Sequence, residues 1–330
     1  MKPIAVDQTQ SPAPAARVLD AGGSQRLAAA SRFFLRLLFA LARHAPWTLR
    51  LLRPLAVWGG VHCSAKIRTA TSANARRILG SDLSDRRCAK FAANVVGHFY
   101  DFVVDVGRAA SMTPRELRRQ IDAIEGRDDY LSHRQRGGGA IILTAHMGSF
   151  EVGLAALVDV EPDVHVVFKR DAMDGFETIR HSLRERLGVH EAPIDDGWET
   201  WMRLRDALER NHVVVMQGDR AMPGQKAQAV PVLGGHVMLP LGPIKLAQIS
   251  GSPIVPVFAI RTSSDRCRLF AQAPIHVDPE ARLVDGVHPA LLEIGRVLEK
   301  FIAAYPEQWL VLDAAFVEDS AKPSETAPCP

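Results

Sequence analysis

From Ile121 to Tyr305, short apolar runs alternate with amphipathic stretches, and no convincing strand pattern precedes them. That alternation constrains the fold more than any other feature: buried strands separated by helix-length segments must form a sheet whose faces the helices cover. Strands are expected at 140–145, 164–168, 212–217, 228–233, 254–260 and 266–273, with helices at 150–158, 175–187, 198–210, 240–250 and 289–305. The predicted class is α/β, a mixed central sheet covered by helices and preceded by a helical N-terminal region.

The first 120 residues carry most of the chain's charge asymmetry, being rich in Arg and poor in acid. The stretch 30–58 contains the run Phe33-Phe34-Leu35-Arg36-Leu37-Leu38-Phe39, yet Arg32, Arg36, Arg43, Arg50 and Arg53 interrupt it, and Pro46 and Pro54 are expected to break it. A spanning helix needs about 20 predominantly apolar residues, so this one should not span. Its arginines gather on one side of a helical wheel and leave Phe33, Phe34, Leu37, Leu38 and Leu41 on the other, the pattern of a helix lying in a membrane surface; a helix packed on the protein with its arginines exposed gives the same pattern. A second helix is expected over 84–107, and Thr113-Pro114-Arg115-Glu116 opens a short third.

Composition sets outer limits. A formal net charge of +3 on 330 residues does not argue for nucleic-acid binding. Cys63, Cys88, Cys267 and Cys329 form no C-x-x-C pair, and the twelve histidines show no metal-binding spacing, so neither a metal site nor a disulfide framework is expected. The organisation that follows is a disordered segment 1–25, a helical membrane-associating region 26–120, an α/β domain 121–318 and a disordered tail 319–330.

The chemistry concentrates in Gly137-Gly138-Gly139-Ala140-Ile141-Ile142-Leu143-Thr144-Ala145-His146-Met147-Gly148-Ser149-Phe150-Glu151. A short apolar strand ends at His146, Gly148 permits a tight turn, and Ser149 suits the N-cap of a helix that carries Glu151. Such a turn brings imidazole and carboxylate together. The expectation is that Glu151 fixes the tautomer of His146 while the imidazole removes a proton from an alcohol. With its hydroxyl engaged as a cap, Ser149 is not a nucleophile, and transfer is expected to go directly to the acceptor. The apolar run 237–244 is a candidate acyl-chain channel, or simply core.

These residues carry a resemblance. Glu125-Gly126, Leu131 and the block ending in H-x4-E resemble the lipid A biosynthesis (lauroyl/myristoyl) acyltransferases, within the lysophospholipid acyltransferase superfamily. Further blocks follow in order: Val167-Phe168-Lys169-Arg170, Gln217-Gly218-Asp219-Arg220, Val230-Pro231-Val232-Leu233-Gly234-Gly235, Gly251-Ser252-Pro253-Ile254-Val255-Pro256-Val257-Phe258 and Tyr305-Pro306-Glu307-Gln308-Trp309. The resemblance implies a glycerolipid acyltransferase-like fold, His146 as general base with Glu151 its partner, and Arg170 on the polar side of the site. Asp219 and Arg220 are expected as an ion pair shaping the pocket floor. It also implies an acyl carrier protein or coenzyme A thioester as donor, no further cofactor, a lipid acceptor, and a place on the cytoplasmic face of an inner membrane.

The chain departs from the family pattern after Trp309. Leu310-Val311-Leu312-Asp313-Ala314-Ala315-Phe316 stands where a basic anchor is usual, which leaves the acceptor open between a lipid A precursor, a related glycolipid, and a lysophospholipid or other hydroxylated lipid. Two other readings remain at this point, a non-catalytic lipid-binding protein of the same fold and a hydrolase.

Overall fold

A computed structural model describes residues 37–320 apart from 39, 43, 171–173 and 223. The segment 1–25 and all but the first two residues of 319–330 lie outside it, as do Phe33, Phe34, Arg32, Arg36 and Arg43 of the proposed surface helix.

Helices of the described N-terminal region include α1 (Pro46–His62), α2 (Ala65–Leu79) and α3 (Asp85–Ala109). Pro46 starts a helix, as expected of a residue with no N–H to leave orphaned, but Pro54 does not end one. It sits inside α1 on an exposed stretch, where water can satisfy the carbonyl that the missing N–H leaves free. Arg53, next to it, donates from Nε and Nη2 to Asp101 of α3 at 2.8 and 2.9 Å, so that cation holds two helices together. The short helix α4 (Pro114–Arg118) opens with a capping box between Thr113 and Glu116.

The sheet has seven strands in the order β1-β9-β8-β2-β5-β3-β4. Its strands are β1 (Ile121–Glu125), β2 (Ala140–Thr144), β3 (Val164–Phe168), β4 (His190–Pro193), β5 (Val213–Gln217), β8 (Ile254–Ser263) and β9 (Arg266–Ala271). All neighbours are parallel except β8 and β9, so the sheet is mixed, as the sequence predicts. A separate antiparallel hairpin joins β6 (Ala227–Val232) to β7 (Gly235–Pro240).

Helix α7 (Asp174–Leu187) leads into β4. Alternation along β2 decides the two layers. Ile141 and Leu143 face one core with Val214, Met216, Ile254 and helices α8 (Trp198–Glu209), α9 (Gly242–Ser250) and α10 (Pro289–Ala304). Ala140 and Ile142 face the other side, toward Tyr130 and Leu131 of α5 (Arg127–Arg134) and Leu157 of α6 (Phe150–Leu157). The run 237–244 is not a channel: Val237 and Leu239 point into the first core, and the stretch from Gly235 to Pro240 is strand β7.

Candidate active site

Strand pairing builds the site. Thr144 and Gln217 are register partners at the carboxyl ends of β2 and β5, and the chain overshoots each by two residues to reach His146 and Asp219. Carboxyl ends of parallel strands are where open α/β sheets present ligand-binding groups. Gly218 N–H donates to Thr144 O at 2.9 Å, locking the two overshoots side by side. A larger residue at 218 would displace the Leu143 side chain, since an added Cβ would lie 2.4 Å from Leu143 Cδ1.

His146 Nδ1 hydrogen-bonds Asp219 Oδ1 at 2.8 Å. Trp309 Nε1–H donates to the other carboxylate oxygen at 2.8 Å. The Asp219 side chain is fully buried, whereas that of His146 keeps 26% of its surface. Burial alone pushes the Asp219 carboxyl up, but the opposing pull of His146, the Arg220 charge and the Trp309 hydrogen bond hold it down at about 2. Asp219 is therefore an anion near neutrality and accepts the Nδ1 proton, which leaves Nε2 without one and free to act as a base.

This corrects the expected partner. Glu151 does not touch His146; it lies in the first turn of α6 and accepts from Arg180 Nε at 3.1 Å, with side chains only 7% and 16% exposed. In the turn between them Gly148 adopts φ 55° with its Cα against β8, where an added Cβ would sit 2.0 Å from Ala259 O. Helix α6 consequently starts against the sheet, with Glu151 lining the space on its Ile142 side. Ser149 is not a side-chain cap either; its hydroxyl donates to Asp105 of α3 at 2.8 Å. It remains engaged, through a different partner.

The remaining candidates disperse. Arg170 has its backbone N–H on Asp195 and its Nη1 on Asp196 at 2.7 Å, with the side chain half exposed. Asp219 and Arg220 form no ion pair among the described residues; the Asp219 oxygens accept from His146 and Trp309, and the Arg220 charge acts on the carboxyl without a contact. Among the described residues there is also no cluster of His, Cys, Asp or Glu arranged to hold a metal.

Beside the pair lies an apolar cavity of about 130 Å³ between the sheet, α5 and α6. Thr144, Phe150, Glu151, Arg180 and Gln217 line its end nearest the strand tips, and Ile142, Leu154, Leu157, Val215, Val257 and Leu269 line its length. Phe150 is shared between the two features, its ring standing edge-on to His146 at 6.3 Å between centroids. Tyr130 contributes to the far wall as a ring only, since its hydroxyl donates to Glu161 at 2.6 Å.

A seven-stranded mixed sheet covered by helices, with a carboxylate-oriented histidine at its strand tips, defines an α/β protein. The sequence pattern of the bacterial lipid A biosynthesis acyltransferases matches residues 27–317, and the chain belongs to that family. It is therefore an acyltransferase, whose substrates are in general an acyl donor and a lipid acceptor. No curated protein sequence matches it.

Proposed function

We propose that this enzyme transfers a fatty acyl chain from an acyl carrier protein or coenzyme A thioester to a hydroxyl of a lipid A precursor or related glycolipid. One observation carries the reading: His146, oriented by a buried anionic Asp219, stands at the same strand tips as an apolar cavity suited to an acyl chain. Each methylene buried there contributes about 0.8 kcal/mol to recognition. His146 Nε2 takes the proton of the acceptor hydroxyl as its oxygen attacks the thioester carbonyl carbon. The Asp219 carboxylate stabilises the imidazolium through Nδ1–H. The tetrahedral intermediate then collapses, the C–S bond breaks, and the imidazolium returns its proton to the leaving thiolate. An ester and a free thiol result, with no cofactor beyond the donor. Glu151 holds Arg180 in place as a cation beside the cavity.

The acceptor's setting is the cytoplasmic face of an inner membrane. On α1, Trp47, Leu51, Leu55 and Trp58 are 63%, 71%, 65% and 58% exposed, and their spacing places them along one side of the helix. No helix among the described residues is long and apolar enough to cross a membrane, so this face supports peripheral attachment through a surface-lying helix. A lysophospholipid acceptor is the second reading, favoured by the 310–316 segment, whose Leu310, Val311 and Phe316 are buried and place no cation near the site.

The test is acylation by the full chain, scored by mass spectrometry, with acyl carrier protein and coenzyme A thioesters offered against a lipid A precursor and a lysophospholipid. Ester formation on the glycolipid, abolished by His146→Ala, is the expected result. Release of free fatty acid as the sole product overturns it.

A further inference from the structure

Trp309 reaches the site from the far end of the chain and touches the base only through another residue. Its segment is pinned without its side chain: Leu310 N–H donates to His146 O at 2.8 Å, Gly148 N–H donates to Gln308 O at 3.2 Å, and Gln308 exchanges two hydrogen bonds with the Arg261 backbone at 2.8 and 2.9 Å. Glu307 adds an anchor to Asn94 of α3 at 2.6 Å. The indole ring is 2% exposed and edge-on to Phe316. None of these contacts needs the indole N–H, which is aimed at the Asp219 carboxylate alone.

We propose that Trp309 is a positioning residue that sets the proton affinity of His146 by withdrawing charge from Asp219 through the indole hydrogen bond. The inference rests on the reading of His146 as the base. A donor on one carboxylate oxygen lowers the basicity of the other, so the carboxylate stabilises the imidazolium less than an unbonded one would. The charged groups on the elements around this loop are Arg220 beyond Asp219, the Asp105–Arg261 pair of α3 and β8, Glu307 and His98 toward α3, and the Glu151–Arg180 pair. Apart from Arg220 they act on the loop from beyond the His146–Asp219 contact, and the indole is the other group bonded to that carboxylate.

The experiment measures the His146 titration by nitrogen NMR in the full chain carrying labelled histidine, alongside the pH profile of kcat/KM. Trp309→Phe removes the donor, and replacing the indole by benzothiophene removes the N–H while keeping ring volume. Both should move the His146 titration and the acid limb of the profile to higher pH by on the order of one unit. The shift should vanish in an Asp219→Asn background. If Trp309→Phe does not fold, the benzothiophene replacement decides. A folded variant whose titration stays where the wild type's lies overturns the inference, as does lost activity with an unmoved profile, which marks a packing role. The titration needs no substrate, so a shifted titration in a protein that transfers no acyl group would overturn the functional reading and leave this one standing.

Discussion

The two rims of the central sheet each carry a histidine assembly, and they behave in opposite ways. At the carboxyl rim a single imidazole meets a carboxylate that is fully buried and bonded on both oxygens. At the amino rim, His165 of β3 stacks on His190 of β4 at 4.6 Å between ring centroids and hydrogen-bonds His212, just before β5, across 3.2 Å. Among the described residues, the carboxylate placed against that trio is Asp163, 44% exposed and 3.6 and 3.8 Å from His190 and His212. Burial, followed by the charges of His190 and His212, pushes His165 down to about 4. Burial beside two other imidazoles therefore weakens the hold of His165 on a proton, whereas at the carboxyl rim one buried anion orients a single imidazole.

The largest effects should come from dismantling the carboxyl-rim pair. His146→Ala removes the base, and Asp219→Asn keeps the hydrogen-bond geometry but loses the charge that stabilises the imidazolium and can select the wrong tautomer. Each should lower kcat by about 10²–10⁴-fold with KM little changed. Steady-state rates at saturating donor check this. Full activity in Asp219→Asn would transfer the orienting role elsewhere and erase the contrast between the rims.

Glu151 sharpens the same comparison because its sequence spacing assigned it the role we propose for Asp219. Glu151→Gln leaves Arg180 half-paired in a nearly buried setting, and losing one partner of such a pair costs about 3–5 kcal/mol. Thermal denaturation should show a drop of several degrees. The pH profile of the residual activity should stay in place, whereas an orienting carboxylate would move it.

What sequence could and could not reveal follows from the distance over which each contact forms. The strand ending before His146 and the helix carrying Glu151 are local patterns, and they were legible. The His146–Asp219 contact spans 73 residues and depends on β5 lying next to β2, which strand order alone decides. Asp219 was visible as part of a motif, but its partner was not, and the nearer Glu151 drew the role. Trp309 was part of a motif without a function, 90 residues further on. Strand β1 escaped notice because, apart from Ile121, its residues are exposed at the sheet edge, and β4 because His190-Glu191-Ala192-Pro193 has no strand composition. The run 237–244 did contain the answer: Val237 and Leu239 buried against His236 and Met238 exposed is a period of two, the signature of strand β7.

The cavity ties the carboxyl rim to substrate choice. Ala156 lines it from α6 and is 7% exposed, so Ala156→Leu places extra methyl groups in the open volume. The variant should favour donors shortened by a few carbons, with the rate on the longest accepted chain down about 10-fold, since each excluded methylene forfeits about 0.8 kcal/mol. A chain-length series of donors compared at equal concentration reads this directly. An unchanged preference would place the acyl chain outside the cavity.

The smallest effect belongs to the amino rim and should leave chemistry alone. His165 is neutral in the folded protein down to about 4, while in the unfolded chain it takes a proton near its ordinary value of about 6.5. Between those values the unfolded state binds more protons, so stability rises with pH across that window and is lost as pH falls through it. His165→Gln removes the titration and should flatten that slope, raising the melting temperature at pH 5 by a few degrees relative to its own value at pH 7, when compared with the wild type. Differential scanning calorimetry at the two pH values measures the difference. Activity near neutral pH should not change, because His165 lies at the opposite end of the parallel strands from His146. A fall in kcat without a fall in stability would show that the two rims are coupled through the sheet.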